Sequence, residues 1–132
     1  MRNSDIFKVT LAAICEDPSS SVNTQDYNMR AQFLLADFIT QYAPLDASYR
    51  VANGMESQKI PTDVTLIDPE DDFPLCDVFT PVAIDYLASA LVIDENEEMS
   101  DRFFDRYING ILEIRKALPA KQHPIVDRYG LD

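Results

Sequence analysis

Only three of the 132 residues are glycine, tryptophan is absent, and histidine occurs once, at position 123. So little glycine leaves almost no room for a phosphate-cradling loop, a dinucleotide-binding turn or a nucleophile elbow, and it argues against a turn-rich all-β design. The two cysteines, Cys15 and Cys76, lie 61 positions apart with no Cys-x-x-Cys spacing. With His123 held before Pro124, this set is too sparse for a zinc site, and neither thiol has a neighbour that would activate it for a Cys/His protease. Both thiols read as buried and reduced, Cys15 on an apolar helical face and Cys76 beside Leu75. No apolar run approaches the length of a membrane-spanning helix. The opening stretch MRNSDIFKVTLAAICEDP is broken by Asp5 and Lys8 and lacks a small-residue cleavage pattern, so a chain made and kept in a cytoplasm is expected.

Cations are also scarce, and unevenly so. Of the formal net charge of -12, residues 1–60 carry seven acids and five bases (-2), and residues 61–132 carry sixteen acids and six bases (-10). Between Lys59 and Arg102 there is no Lys or Arg. Nucleic-acid binding needs cations opposite phosphates, so this half should repel DNA. Hydrophobic residues nevertheless make up 46% of the chain, and they alternate with the acids, which marks a folded domain with a charged surface.

Four helices can be read from the spacing. Ser4 is placed to cap the first, with Asp5 at its favourable end, Ile6, Val9, Leu11, Ala13, Ile14 and Cys15 as its apolar side, and Pro18 as its stop. Asn23 or Thr24 opens the second, where Tyr27, Ala31, Leu34, Leu35, Phe38 and Tyr42 recur at intervals of three and four before Pro44 ends it. The stretch LDASYRVANG extends as a further short helix stopped by Gly54. Val64 to Ile67, between Pro61 and Pro69, is the one β-like run and reads as a short strand or hairpin; EDDF is a solvated turn. Pro74 or Pro81 opens the third helix, which runs to about Ile93 with Ala83, Tyr86, Leu87, Ala90 and Leu91 buried. The fourth runs from about Glu97 to Leu118 with Met99, Phe103, Tyr107, Ile111 and Ile114 as its stripe, ended by Pro119. The fold class is therefore mainly α, a bundle of about four helices with a small β element in the middle. It comprises a helical domain over residues 1–118 and an extended C-terminal arm over 119–132.

The stretch LVIDENEEMSDRFFDRY packs four carboxylates into five residues. As a calcium loop it would place Asp94, Asn96 and Glu98 at the first three oxygen positions, but Met99 stands where glycine is required and Asp105 where a bidentate Glu is required. As a helix junction it is coherent: Asn96 caps, Glu97 and Glu98 sit at the positive end of the helix dipole, and Glu98 precedes Arg102 by four residues in the order that favours an ion pair. No metal, cofactor or catalytic residue is assigned. Paired carboxylates need environments that separate their pKa values, and the acidic clusters fall on turns open to solvent. Asp85, among apolar neighbours on the third helix, is the one acid whose position invites burial; an exposed site or an arginine partner is the plainer expectation.

Two segments, Asp26 to Gly54 (DYNMRAQFLLADFITQYAPLDASYRVANG) and Phe73 to Ile114 (FPLCDVFTPVAIDYLASALVIDENEEMSDRFFDRYINGILEI), resemble the small connector proteins, also called adaptor or neck proteins, of tailed bacteriophages. The likeness lies in an early helix carrying an Arg and an LLADF-like core, in YR near a glycine, in a proline-led helix ending in LVIDENEE, and in a long helix holding an aromatic followed by DRY. The two segments together cover a little over half of the chain. It implies a helical subunit without catalytic activity, which forms a homo-oligomeric ring, commonly of twelve copies, beneath the portal protein of the DNA-filled head. The next neck or tail component docks on the far side. A lumen lined with carboxylates would let DNA pass without specific binding, and the protein would reside in the virion neck without contacting a membrane.

The family's C-terminal arm often reaches into the portal, and the matching positions here are Pro119 to Asp132. That arm carries Ile125, Val126, Tyr129 and Leu131 around Arg128, a set of the kind enriched where partners meet. The same side chains would equally fold back on the subunit's own core; the resemblance favours docking, with Ile125, Val126, Arg128, Tyr129 and Leu131 as the partner-binding residues. The competing reading is a free acidic inhibitor that mimics DNA and binds a basic nuclease or repressor. An enzyme, which would need a concave site holding Asp85 or His123, comes third.

Overall fold

The computed structural model describes residues 1–14, 21–60 and 66–118, and the side chains of the second helix from position 26 onward. Cys15, Pro18, the first part of the β-like run and the whole arm, with Ile125, Val126, Arg128, Tyr129 and Leu131, lie outside the described residues. Four α-helices make the described fold: α1 (Asn3–Ala13), α2 (Ser21–Ala52), α3 (Thr80–Val92) and α4 (Glu97–Lys116), with a 3-10 turn, Asp77–Phe79, leading into α3. This is the helical bundle expected from the spacing. No strand forms among the described residues, whose β-type pairing is the isolated antiparallel bridge between Arg2 and Asp72. Leu66 and Ile67 lie in bent and irregular backbone. Pro69, just beyond them, has no amide hydrogen to give a ladder.

The short helix α3 is the centre. It carries one charged residue, packs against α1, α2 and α4, and buries Val82, Ala83, Leu87, Ala88, Ser89, Leu91 and Val92. Covered on several sides, it buries more than the single line expected, while Tyr86 and Ala90 are half-buried. Pro81, in its first turn, is the proline that opens it. α2 runs antiparallel to α3: the Arg30 guanidinium donates to the Ala90 carbonyl at 3.3 Å, the Tyr86 hydroxyl donates to Asp37 at 2.8 Å, and the Cys76 amide donates to Asp46 at 2.8 Å. α4 returns along α3 as a helical hairpin, with the Ser100 hydroxyl donating to the Ser89 carbonyl at 2.7 Å. Its stripe is as expected, with Phe103, Tyr107, Ile111 and Ile114 buried and Met99 half-buried.

Two boundaries differ from the sequence-based expectation. Pro44 does not end α2; the helix continues to Ala52. A proline inside a helix costs roughly 3 kcal/mol through its missing amide and ring clash. Here Pro44 lies on the exposed side, and the turn that follows buries Leu45 and pairs Asp46 with Arg50. Gly54, at φ 66, then stops the chain as expected, since only glycine enters that region without strain. α1 starts before Ser4: Arg2 occupies the cap position, and its backbone amide donates to the Asp5 carboxylate at 3.0 Å. Val9 is 43% exposed, whereas Phe7 and Thr10 are buried beside Ile6, Leu11 and Ile14. A polar Thr10 fits inside because its hydroxyl donates to the Ile6 carbonyl at 2.8 Å.

Gly110 sets the closeness of α3 and α4. A Cβ there would stand 2.8 Å from Cγ2 of the buried, β-branched Val82. Alanine would add about 1 kcal/mol of helix propensity, but overpacking against a stiff neighbour costs about 1 to 3 kcal/mol. Gly110→Ala should therefore lower the melting temperature, and adding Val82→Ala should recover part of the loss. An unchanged or raised melting temperature for Gly110→Ala would mean that the two helices are not this close.

Candidate functional site

The most deeply buried charge among the described residues lies just past Pro44. Asp46 is 0% exposed and receives Nε of Arg50 at 2.8 Å and the Cys76 amide at 2.8 Å. Arg50 then donates to the carbonyls of Glu56 and Pro74, each at 3.2 Å. One carboxylate and one guanidinium thus fasten the end of α2 to the segment that leads into α3, and every member has a partner. The pairing raises the Arg50 pKa, through the hydrogen bond from its guanidinium to Asp46, against the opposing effect of burial. The sequence signal for this site is an Asp-x-x-x-Arg pair inside a continuing apolar period (Leu45, Tyr49), hidden once Pro44 is taken as a terminus.

Cys76 is buried and reduced, as expected. Burial first, and then the Asp46 carboxylate nearby, push its thiol up to about 11. A thiol so far above its ordinary value stays protonated at neutral pH and is a poor nucleophile. Asp85 is half-buried; desolvation raises its carboxyl above the usual range and Arg106 opposes the shift. It belongs to none of the ion pairs among the described residues, so the expected arginine partner reduces to this longer-range attraction. A cluster of aromatic side chains lies where α2, α3 and α4 meet. Phe38 stands 4.7 Å from the Tyr42 ring and 5.6 Å from Tyr86, and Tyr86 stands 5.1 Å from Tyr107, all tilted. The Tyr42 and Tyr107 hydroxyls bond to each other, which satisfies two polar atoms inside an apolar cluster. Desolvation raises the pKa of both Tyr42 and Tyr86.

The acidic residues fall in two segments. In one, residues 93–95 form a turn, the Asn96 side chain accepts from the Met99 amide at 3.0 Å, and Glu97 and Glu98 fill the first turn of α4. The helix junction is therefore formed, and the twelve-residue geometry of a calcium loop is not. Glu98 and Arg102 are not paired; the ion pairs among the described residues are Arg2–Glu70, Arg30–Asp26, Arg50–Asp46 and Lys116–Glu113. In the other, the acidic turn at residues 68–72 has a role that composition conceals. Its backbone carbonyls cap α1: the Asn3 amide donates to Asp71 and the Ser4 amide to Pro69, both at 2.9 Å, and the Asn3 side chain donates to the Asp68 carbonyl at 2.9 Å. Asn3 is 2% exposed, its Oδ1 is unpartnered, and it lines a cavity of about 330 Å³ with Ile39, Leu66, Ile67 and three aspartates.

These groups hold the fold together. Asp85 and Cys76 lie in different environments, and the partner-binding residues proposed from the sequence lie outside the described residues, as does His123. Among the described residues no group of three His, Cys, Asp or Glu could hold a metal ion, and no helix is long and apolar enough to cross a membrane. No family model, curated protein or solved structure matches the chain.

The raised tyrosine and thiol values predict an alkaline limit. In the unfolded chain the thiol titrates near 9.0 and the tyrosines near 10.0, whereas folded Cys76 waits until about 11 and Tyr42 and Tyr86 shift upward too. The unfolded state therefore releases these protons first, so the stability these groups contribute should be complete below pH about 9 and fall as pH rises beyond it. Denaturant melts across this range should show the decline, with tyrosinate absorbance from Tyr42 and Tyr86 appearing only as the protein unfolds. Stability that is flat through pH 11 would contradict the burial of these groups.

Proposed function

We propose that the chain is a structural virion protein, a head-to-tail connector of a tailed bacteriophage that joins a ring of about twelve copies between the portal and the next neck or tail component. It catalyses nothing and carries no cofactor. It is made in the bacterial cytoplasm, resides in the virion neck and meets no membrane. The observation that supports this reading is where the resembling segments fall. Asp26 to Gly54 supplies nearly all the described part of α2 and its glycine stop, and Phe73 to Ile114 supplies the lead-in, α3 and most of α4. The likeness thus coincides with the residues that build the bundle.

The charge distribution is compatible with the same role. The cation-free stretch exposes its acids at the turn around Glu70 and at the junction around Glu95. Carboxylates facing a lumen would repel the passing phosphates, which screens the duplex from sticking. The alternative, a free inhibitor that presents carboxylates as a DNA mimic, draws on the same charge; assembly separates the two. In the connector reading, Ile125, Val126, Arg128, Tyr129 and Leu131 enter the portal ring.

Co-sedimentation with purified portal rings tests this. The full chain should pellet with the portal, and deleting Ile125 to Asp132 should abolish binding while leaving the melting temperature of the subunit nearly unchanged. A truncated chain that melts far below the full chain would place the arm in the core and remove the proposed interface. A full chain that ignores the portal but binds a basic nuclease or repressor would favour the inhibitor.

A further inference from the structure

α4 carries more apolar surface than the bundle uses. Beside its buried stripe, Phe104, Ile108 and Leu112 form a second line, 46%, 40% and 47% exposed. An exposed helix face is ordinarily polar. This line is bounded by Asp101 on one side and Arg115 on the other, both exposed, and neither belongs to any of the ion pairs among the described residues.

The order of these five residues is symmetric. Asp101, Phe104, Ile108, Leu112 and Arg115 follow one another at intervals of three, four, four and three. At 3.6 residues per turn they fall within an arc of about 80° on the helix. Asp101 and Arg115 each stand seven residues from Ile108, which is about 10.5 Å along the axis. If a second α4 is laid antiparallel across this line with the two-fold axis at Ile108, Ile108 meets its own copy and Phe104 meets Leu112. Asp101 of each copy then meets Arg115 of the other. A parallel alignment would instead set Asp101 against Asp101 and Arg115 against Arg115. The charges therefore select one orientation and one occupant, since few other partners would carry this reversed pattern at this spacing.

We propose that the exposed face of α4 binds a second copy of the same chain, giving a two-fold antiparallel dimer centred on Ile108. This does not rest on the connector reading. An isologous contact closes on itself, so it describes the free chain and cannot by itself extend into a ring. One helical stripe per copy is small for a specific interface, which sets the association in about the micromolar range.

Sedimentation equilibrium of the full chain, from about 1 μM to about 200 μM, should show a monomer–dimer equilibrium. Asp101→Arg alone and Arg115→Asp alone should each weaken it about tenfold or more, because each sets like charges together twice. An equimolar mixture of the two variants should recover the dimer, since in the mixed pair the introduced arginine faces the introduced aspartate at one end and the native Asp101 and Arg115 face each other at the other. Ile108→Ser should also dissociate it, with far-ultraviolet circular dichroism unchanged in all variants. A wild-type monomer throughout, a dimer indifferent to both charge reversals, or a mixture that stays monomeric would overturn the proposal. So would a dimer seen only after residues 119–132 are removed, which would assign the stripe to the chain's own C-terminal segment.

Discussion

The structure depends on the burial of one thirteen-residue helix. α3 has a single charged side chain and touches all three other helices, so each of them orders its apolar face by contact with α3. A helix of this length is marginal in water by itself, and its stability comes from packing. What α3 needs from its neighbours explains their composition. α4 supplies a glycine where Val82 must come close, α2 supplies the Phe38 ring against Tyr86, and α1 supplies Ile6, Phe7 and Leu11. Fully burying a side chain such as Leu87 or Leu91 is worth roughly 1.5 to 3 kcal/mol, and net stability of a small domain is only about 5 to 15 kcal/mol, so the fold tolerates little loss at this helix.

A helix so apolar must still be entered and left, and polar groups manage both ends. Asp46 and Arg50 hold the entry, where the chain turns from Pro74 through the 3-10 turn into Thr80. At the exit, Asn96 caps α4 and Glu95 bonds to the Tyr27 hydroxyl on α2. The acidic turn around Glu70 closes α1 with its carbonyls while its side chains remain in solvent. In this turn the carbonyls of residues 68, 69 and 71 face the amides of α1, while the carboxylates are exposed. The one carboxylate fully inside among the described residues, Asp46, is paired and hydrogen-bonded, while half-buried Asp85 carries a desolvation cost that raises its carboxyl.

How much of this can be read in advance follows from how local each signal is. The stripe of α4 and its Asn96 cap are legible because period and cap lie within a few residues of each other, and no tertiary contact competes with them. Tyr27, Phe38 and Tyr42 on α2 are legible for the same reason. Pro44 misleads because proline is a strong local signal, while the features that outweigh it, Leu45 in the core and Asp46 bonded to Cys76, depend on a segment thirty residues away. Val9 and Phe7 exchange places since α1 is short and two apolar faces fit its sequence nearly equally. The carbonyls that cap α1 come from residues 68–71 and leave no trace in side-chain pattern. Of the candidate sites, the buried state of Cys76 and the helix junction follow from the sequence. Asp46, the principal buried charge, does not, because a paired acid within an apolar run looks like an exposed one until its partner is known.

The proposed connector role places the function of the bundle in assembly. Averaged electron micrographs of purified portal incubated with the full chain address that claim most directly. A closed ring of added density on one face of the portal, its symmetry matching the portal's, is the expected result. Portal particles left unaltered, with the chain remaining free beside them, would contradict it.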